Sequence, residues 1–126
     1  MADVIYVEQP HLYDINVQRD AGFVMTFRFD APLTGSTIIF TVRDIATVAG
    51  EKLHEVTVTS FSTGVVDDEH PDQITDDEAT VVINAGDLPA AGTYYYALQE
   101  RISTEEQPVR MKGQFIVEPH AGVINA

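Results

Sequence analysis

The chain has 126 residues, 44% of them hydrophobic, enough for one compact domain that buries roughly two thirds of its unfolded surface. Twenty acidic against seven basic side chains leave a formal charge of −13, which repels DNA, RNA and anionic membrane surfaces, so neither nucleic acid nor membrane is an expected partner. With no cysteine there is neither a disulfide framework nor a thiolate metal site, and stability rests on packing.

The N-terminal stretch "MADVIYVEQPHL" lacks a basic n-region and holds one short apolar run, Val4 to Val7; nowhere do eighteen apolar residues follow one another. Neither a signal peptide nor a membrane-spanning helix is expected, which implies synthesis in the cytoplasm. "LYDINV" reads as a first short strand of the domain. "FVMTFRF" places Phe23, Met25, Phe27 and Phe29 at alternate positions, the period of a strand with one buried face. "STIIFTVRD" repeats this with Ile38, Phe40 and Val42, "KLHEVTVTSF" adds a further strand, and "EATVVIN" offers Ala79, Val81 and Ile83 on one face. "TYYYALQERI" and "VRMKGQFIV" complete the set. In the last, Val109, Met111, Phe115 and Val117 are expected inward, and Arg110, Lys112 and Gln114 outward. Turn signals separate these runs at 30–35, 48–51, 84–92 and 103–108, and Asn84 to Leu88 is compatible with one helical turn. Seven strands with one wet face and no sustained helical period predict an all-β, antiparallel sandwich. Its expected core includes Phe27, Phe40, Val81, Tyr94, Tyr96, Phe115 and Val117.

Between the fourth and fifth of those strands lies "DDEHPDQITDDE", with the seven carboxylates of Asp67, Asp68, Glu69, Asp72, Asp76, Asp77 and Glu78 and no Lys or Arg. A calcium loop needs alternating acids and a glycine at its sharp turn, and a glycosidase needs two carboxylates on rigid elements facing across a cleft. This run has neither spacing, so its expected role is a solvated loop that makes charged contact with a neighbouring protein. No metal and no cofactor are expected. His11, His54, His70 and His120 lack short ligand spacing, the serines lack a Gly-x-Ser-x-Gly elbow, and no glycine-rich phosphate cradle is present, so no catalytic residue is assigned and the chain is expected not to be an enzyme.

Two roles are open for Val4, Ile5, Tyr6 and Val7. They form either the first strand of their own domain or part of an extended arm, residues 1–11, that adds to a neighbour's sheet edge. Val123 and Ile124, in a tail of residues 119–126, are the corresponding docking candidates at the other end. The sandwich itself is expected over 12–118.

Within "LPAAGTYYYAL", Ala91, Gly92 and Thr93 lead into Tyr94, and this resembles the tyrosine corner of immunoglobulin-like domains. Together with "DINVQRDAGFVMTFRF" and its Arg19, "PLTGSTIIFTVRD" opening on Leu33, Thr34 and Gly35, and the closing "GQFIV", it covers residues 14 to 117 in an order that resembles the small immunoglobulin-like domains of tailed-bacteriophage structural proteins, especially upper-baseplate proteins. Two departures stand out. Asp20 and Ala21 separate Arg19 from Gly22, where relatives carry glycine directly after the arginine, and the chain ends about nine residues after its last expected strand, where relatives continue into a fibre.

The resemblance implies a virion location and a small adaptor or accessory subunit of tail or baseplate, or a capsid decoration subunit. It would be present in many copies or as a homo-oligomer, with other virion structural proteins as partners. The alternative is a carbohydrate- or receptor-binding sandwich, for which Tyr13, Tyr95 and Phe61 are the available aromatic residues.

Overall fold

The computed structural model describes residues 3–7, 11–19, 21–45, 50–66, 71 and 73–118. Their regular structure is almost entirely extended: β1 (Asp3–Val7), β2 (His11–Leu12), β3 (Ile15–Gln18), β4 (Phe23–Phe29), β5 (Thr37–Arg43), β6 (Lys52–Val58), β7 (Glu78–Ile83), β8 (Gly92–Arg101) and β9 (Val109–Glu118), with one 3-10 turn at Ala85–Asp87. Each of the seven strands expected from alternation is present, and the helical turn falls inside the segment compatible with it.

The strands form two sheets, β1-β4-β7 and, with β3 beside β2 on the same edge, β2-β9-β8-β5-β6. β2 and β3 hold one register against β9, with His11 opposite Met111 and Ile15 opposite Phe115, so they are two pieces of a single strand broken at Tyr13 and Asp14. The first strand therefore starts in one sheet as β1 and crosses to the other as β2–β3. Counted that way the described residues form a seven-strand, two-sheet all-β sandwich. The antiparallel expectation needs one correction: β1 runs parallel to β4, and β2 and β3 run parallel to β9.

Within the expected arm, Asp3–Val7 are not free. β1 pairs with β4 along its whole length, from Asp3 opposite Met25 to Val7 opposite Phe29, and Ile5 and Val7 are buried in the core. The expectation that Ile5 and Val7 dock on a neighbour is corrected by this: β4 would otherwise present an open edge, and β1 satisfies that edge while removing two aliphatic side chains from water. Val4 and Tyr6 belong to the same ladder, opposite Thr26 and Arg28. Val123 and Ile124 lie outside the described residues.

Alternation puts the core between the sheets. Phe23, Phe27, Ala79, Val81 and Ile83 come from one, and Ile38, Phe40, Val42, Leu98, Met111, Phe115 and Val117 from the other. Phe40 sits at the centre, its ring 5.5 Å from Phe23, 5.9 Å from Phe27, 5.2 Å from Tyr96 and 5.9 Å from Phe115. Of the expected core only Tyr94 is half-buried, because its hydroxyl turns outward to donate to the Ala90 carbonyl at 2.7 Å, the corner bond that ties down the preceding loop. Val109 corrects another expectation, being 39% exposed rather than inward. Leu98 pairs with Met111 but Gln99 with Val109, so Arg110 is the extra residue of a bulge, and the alternation reverses there.

Candidate functional site

The acidic connection divides in two. Asp67, Asp68, Glu69 and Asp72 lie outside the described residues, whereas Asp76, Asp77 and Glu78 are built into the sandwich. The Asp76 backbone N–H donates to Thr63 Oγ1 at 3.0 Å, and its Oδ2 accepts from Thr34 Oγ1 at 3.2 Å. Glu78 opens β7 and exchanges both backbone bonds with Ser62, at 2.9 and 3.0 Å. Asp77, expected to be solvated, is fully buried. Its Oδ2 accepts from Arg28 Nε at 3.1 Å, its Oδ1 from the Gly64 N–H at 2.8 Å, and its carbonyl from the Phe29 N–H at 2.8 Å.

Arg28, itself only 2% exposed, reaches on to the Val65 carbonyl through Nη1 at 2.6 Å. A Cβ at Gly64 would lie 2.6 Å from Glu78 Oε2 and 2.7 Å from Arg28 Nε, so only glycine lets the connection pass this close. The pair fastens the returning chain to the outer face of the small sheet. It is a structural device: the carboxylate oxygens of Asp77 are engaged by protein donors, which leaves them poorly placed to hold a cation or an incoming substrate.

A different region has the shape of a binding site. On the outer face of the large sheet an open groove of about 660 Å³ lies between the broken edge strand and the end of β5. Its floor is made by Thr41, Arg43, Tyr95, Ala97, Gln99, Lys112 and Gln114, residues alternate with the core positions of β5, β8 and β9. Leu12, Tyr13 and Asp14 form one wall, and Ile45 and Val109 complete the lining. Leu12 is 72% exposed, Tyr13 46% and Ile45 50%, so this face presents aliphatic and aromatic surface to water.

The wall is held in place by chemistry at the strand break. Gly113 lies opposite Tyr96, and without a side chain there the Tyr96 ring passes over β9 to donate its hydroxyl to the Tyr13 carbonyl at 2.6 Å. A Cβ at Gly113 would collide with that carbonyl. Asp14 then replaces the missing backbone acceptor, its Oδ1 taking the Gln114 N–H at 2.9 Å, while the Tyr13 N–H donates to the Lys112 carbonyl at 2.9 Å. Burial pushes the Tyr96 hydroxyl well above the ordinary tyrosine value, and the charge of Asp14 and the proximity of Tyr13 add to the shift.

The groove is also unusual in charge. Lys52 pairs with Glu55 at 3.3 Å, Arg110 with Glu100 at 3.0 Å, and Arg28 with Asp77. Arg43 and Lys112, both at the groove, have no ion pair among the described residues, and Arg43 Nη1 is buried there with no acceptor. Of the three aromatics available for a ligand, Tyr13 and Tyr95 meet here, whereas Phe61 packs against the core. Sequence reasoning did not single out Arg43, Lys112 or Asp14, because only the fold gathers residues so distant in the chain.

No family model matches the chain, and no curated protein matches it. Among solved structures it is similar to the N-terminal domain of phage TP901-1 ORF48, with a TM-score of 0.55 and 11% identity over 93% of this chain and 98% of that one. It is also similar to reduced rusticyanin, with a TM-score of 0.37 and 16% identity over 94% of this chain and 81% of that one, too weak a likeness to carry an argument. At these identities the likeness is one of fold alone, an all-β sandwich shared almost end to end with a phage domain.

Proposed function

We propose that the chain is a non-enzymatic structural subunit of a tailed-phage virion, a small sandwich that works by protein–protein contact as a tail or baseplate accessory or as a capsid decoration subunit. The observation that carries this reading is the end-to-end correspondence with a phage domain, 93% of one chain on 98% of the other. The order of motifs over residues 14 to 117 supports the same assignment independently of the superposition.

Site chemistry favours contact over catalysis. Among the described residues the groove contains a single carboxylate, Asp14, already accepting the Gln114 N–H, and no histidine or serine, so they assemble neither a carboxylate pair nor a hydroxyl nucleophile with its base there. The alternative of a carbohydrate-binding sandwich draws its support from Tyr13 and Tyr95 in one groove.

The test is fractionation. Particles released from cells carrying the gene are banded by density and their proteins quantified by mass spectrometry, with the chain expected to co-band at a fixed ratio to the major structural proteins. Its absence from the band, with soluble chain abundant in the lysate, would overturn the proposal.

A further inference from the structure

Resting on that reading, we infer that the groove on the outer face of the large sheet docks a segment of a neighbouring, different protein subunit that carries a carboxylate side chain flanked by aliphatic residues, with the carboxylate received by Arg43 and Lys112. The electrostatic argument comes first. In a chain of charge −13, cations are scarce, and three of the seven are already paired within the described residues. Two of the others meet in one groove, where the described residues include a single carboxylate, engaged by a backbone N–H. Arg43 Nη1 has no acceptor among the described residues, and Lys112 beside it has no ion pair there either. Arg43 is only partly buried, and the planar fork of its guanidinium suits the two oxygens of a carboxylate arriving in the groove.

The remainder of the lining fixes what accompanies the carboxylate. Leu12, Ile45 and Val109 are exposed aliphatic side chains and Tyr13 an exposed aromatic one. Their burial rewards aliphatic residues on either side of the acid, while Gln114 offers a side-chain amide to a backbone. A contact of this kind gives orientation as much as affinity, because the acidic surface elsewhere on the chain repels the same segment.

The experiment is a nitrogen-15 correlation titration of the full chain with the peptide acetyl-Ile-Glu-Val-amide, and separately with acetyl-Ile-Gln-Val-amide. The acidic peptide is expected to shift the amides of Arg43, Tyr95, Ala97, Lys112 and Gln114 together with the Arg43 side-chain resonance, and to bind at least about tenfold more tightly than the glutamine peptide. Arg43→Gln is expected to remove that preference. Because its stem packs in the groove, Lys112→Gln serves as a second variant at an exposed position, expected to weaken the acidic peptide severalfold without changing the melting temperature.

Three results would overturn the inference: no shifts, shifts outside the groove, or equal binding of the two peptides. Self-association of the pure chain that Arg43→Gln abolishes would make the occupant a second copy and overturn the choice of partner. Binding of acetylneuraminic acid at the same resonances, tighter than the peptide, would do so in favour of an acidic sugar. Particle incorporation separates this idea from the wider reading: a wild-type chain found in particles, with Arg43→Gln incorporated equally well, defeats the groove assignment and leaves the virion role standing.

Discussion

Removing the Asp77 carboxylate tests the packing of the acidic connection. Asp77→Ala leaves the buried Arg28 guanidinium and the Gly64 N–H, now 3.1 and 2.8 Å from an acceptor, without that acceptor. Breaking a buried pair in this way costs about 3–5 kcal/mol, a third or more of the total stability of a typical domain. With a urea slope of about 2 kcal/mol per M, the unfolding midpoint is expected to fall by about 2 M. Replacing both partners by apolar side chains, as in Arg28→Met with Asp77→Leu, removes both buried charges together, so the double variant is expected to be more stable than Asp77→Ala. Equilibrium urea unfolding followed by far-ultraviolet circular dichroism reads all three proteins. A single-variant loss below about 1 kcal/mol would refute the reasoning, since it means that Asp77 is solvated, and so would a double variant less stable than Asp77→Ala.

Phe40→Ala, which removes the ring shared by four aromatic neighbours, is expected to cost about 3–5 kcal/mol by urea unfolding. Deleting residues 1–8 is expected to cost about 3–6 kcal/mol, because Ile5 and Val7 leave the core; unchanged stability would restore the arm reading. Tyr96 predicts an alkaline response. Its folded-state pKa lies above the ordinary tyrosine value of 10.0, so its contribution is complete below pH 10 and declines as pH rises above it, where the unfolded chain loses that proton first. Tyr96→Phe is expected to flatten that part of the profile. Gly113→Ala is expected to separate β2–β3 from β9, seen as faster amide exchange at Tyr13, Ile15 and Gln114.

The strands were legible because alternation at Phe23–Phe29, Ile38–Val42 and Ala79–Ile83 is local and strong. β1 was ambiguous because Val4 to Val7 is a continuous apolar run, which carries no face and fits a neighbour's edge as well as its own. Asp77 was misread for a different reason. It sits in a run of acids that looks solvated, and its partner Arg28 is 49 residues away, on the outward face of a strand where a cation normally reaches water. Val109 followed the strand period until the bulge at Arg110 reversed it. The groove was the least visible feature: Tyr13 and Tyr95 stood out singly as aromatics, but their meeting with Arg43 and Lys112 depends on a strand that changes sheets and on Gly113, where sequence shows only a glycine in an otherwise ordinary strand.

The most direct measurement is a reconstruction, by electron cryomicroscopy, of particles assembled in cells that carry the gene. The account predicts density for the seven-strand sandwich at a fixed position in the particle, with its large-sheet groove, marked by Tyr13, Arg43 and Tyr95, closed by a segment of an adjoining subunit. Particles that are complete without the sandwich, in cells where the chain is abundant and folded, would contradict it.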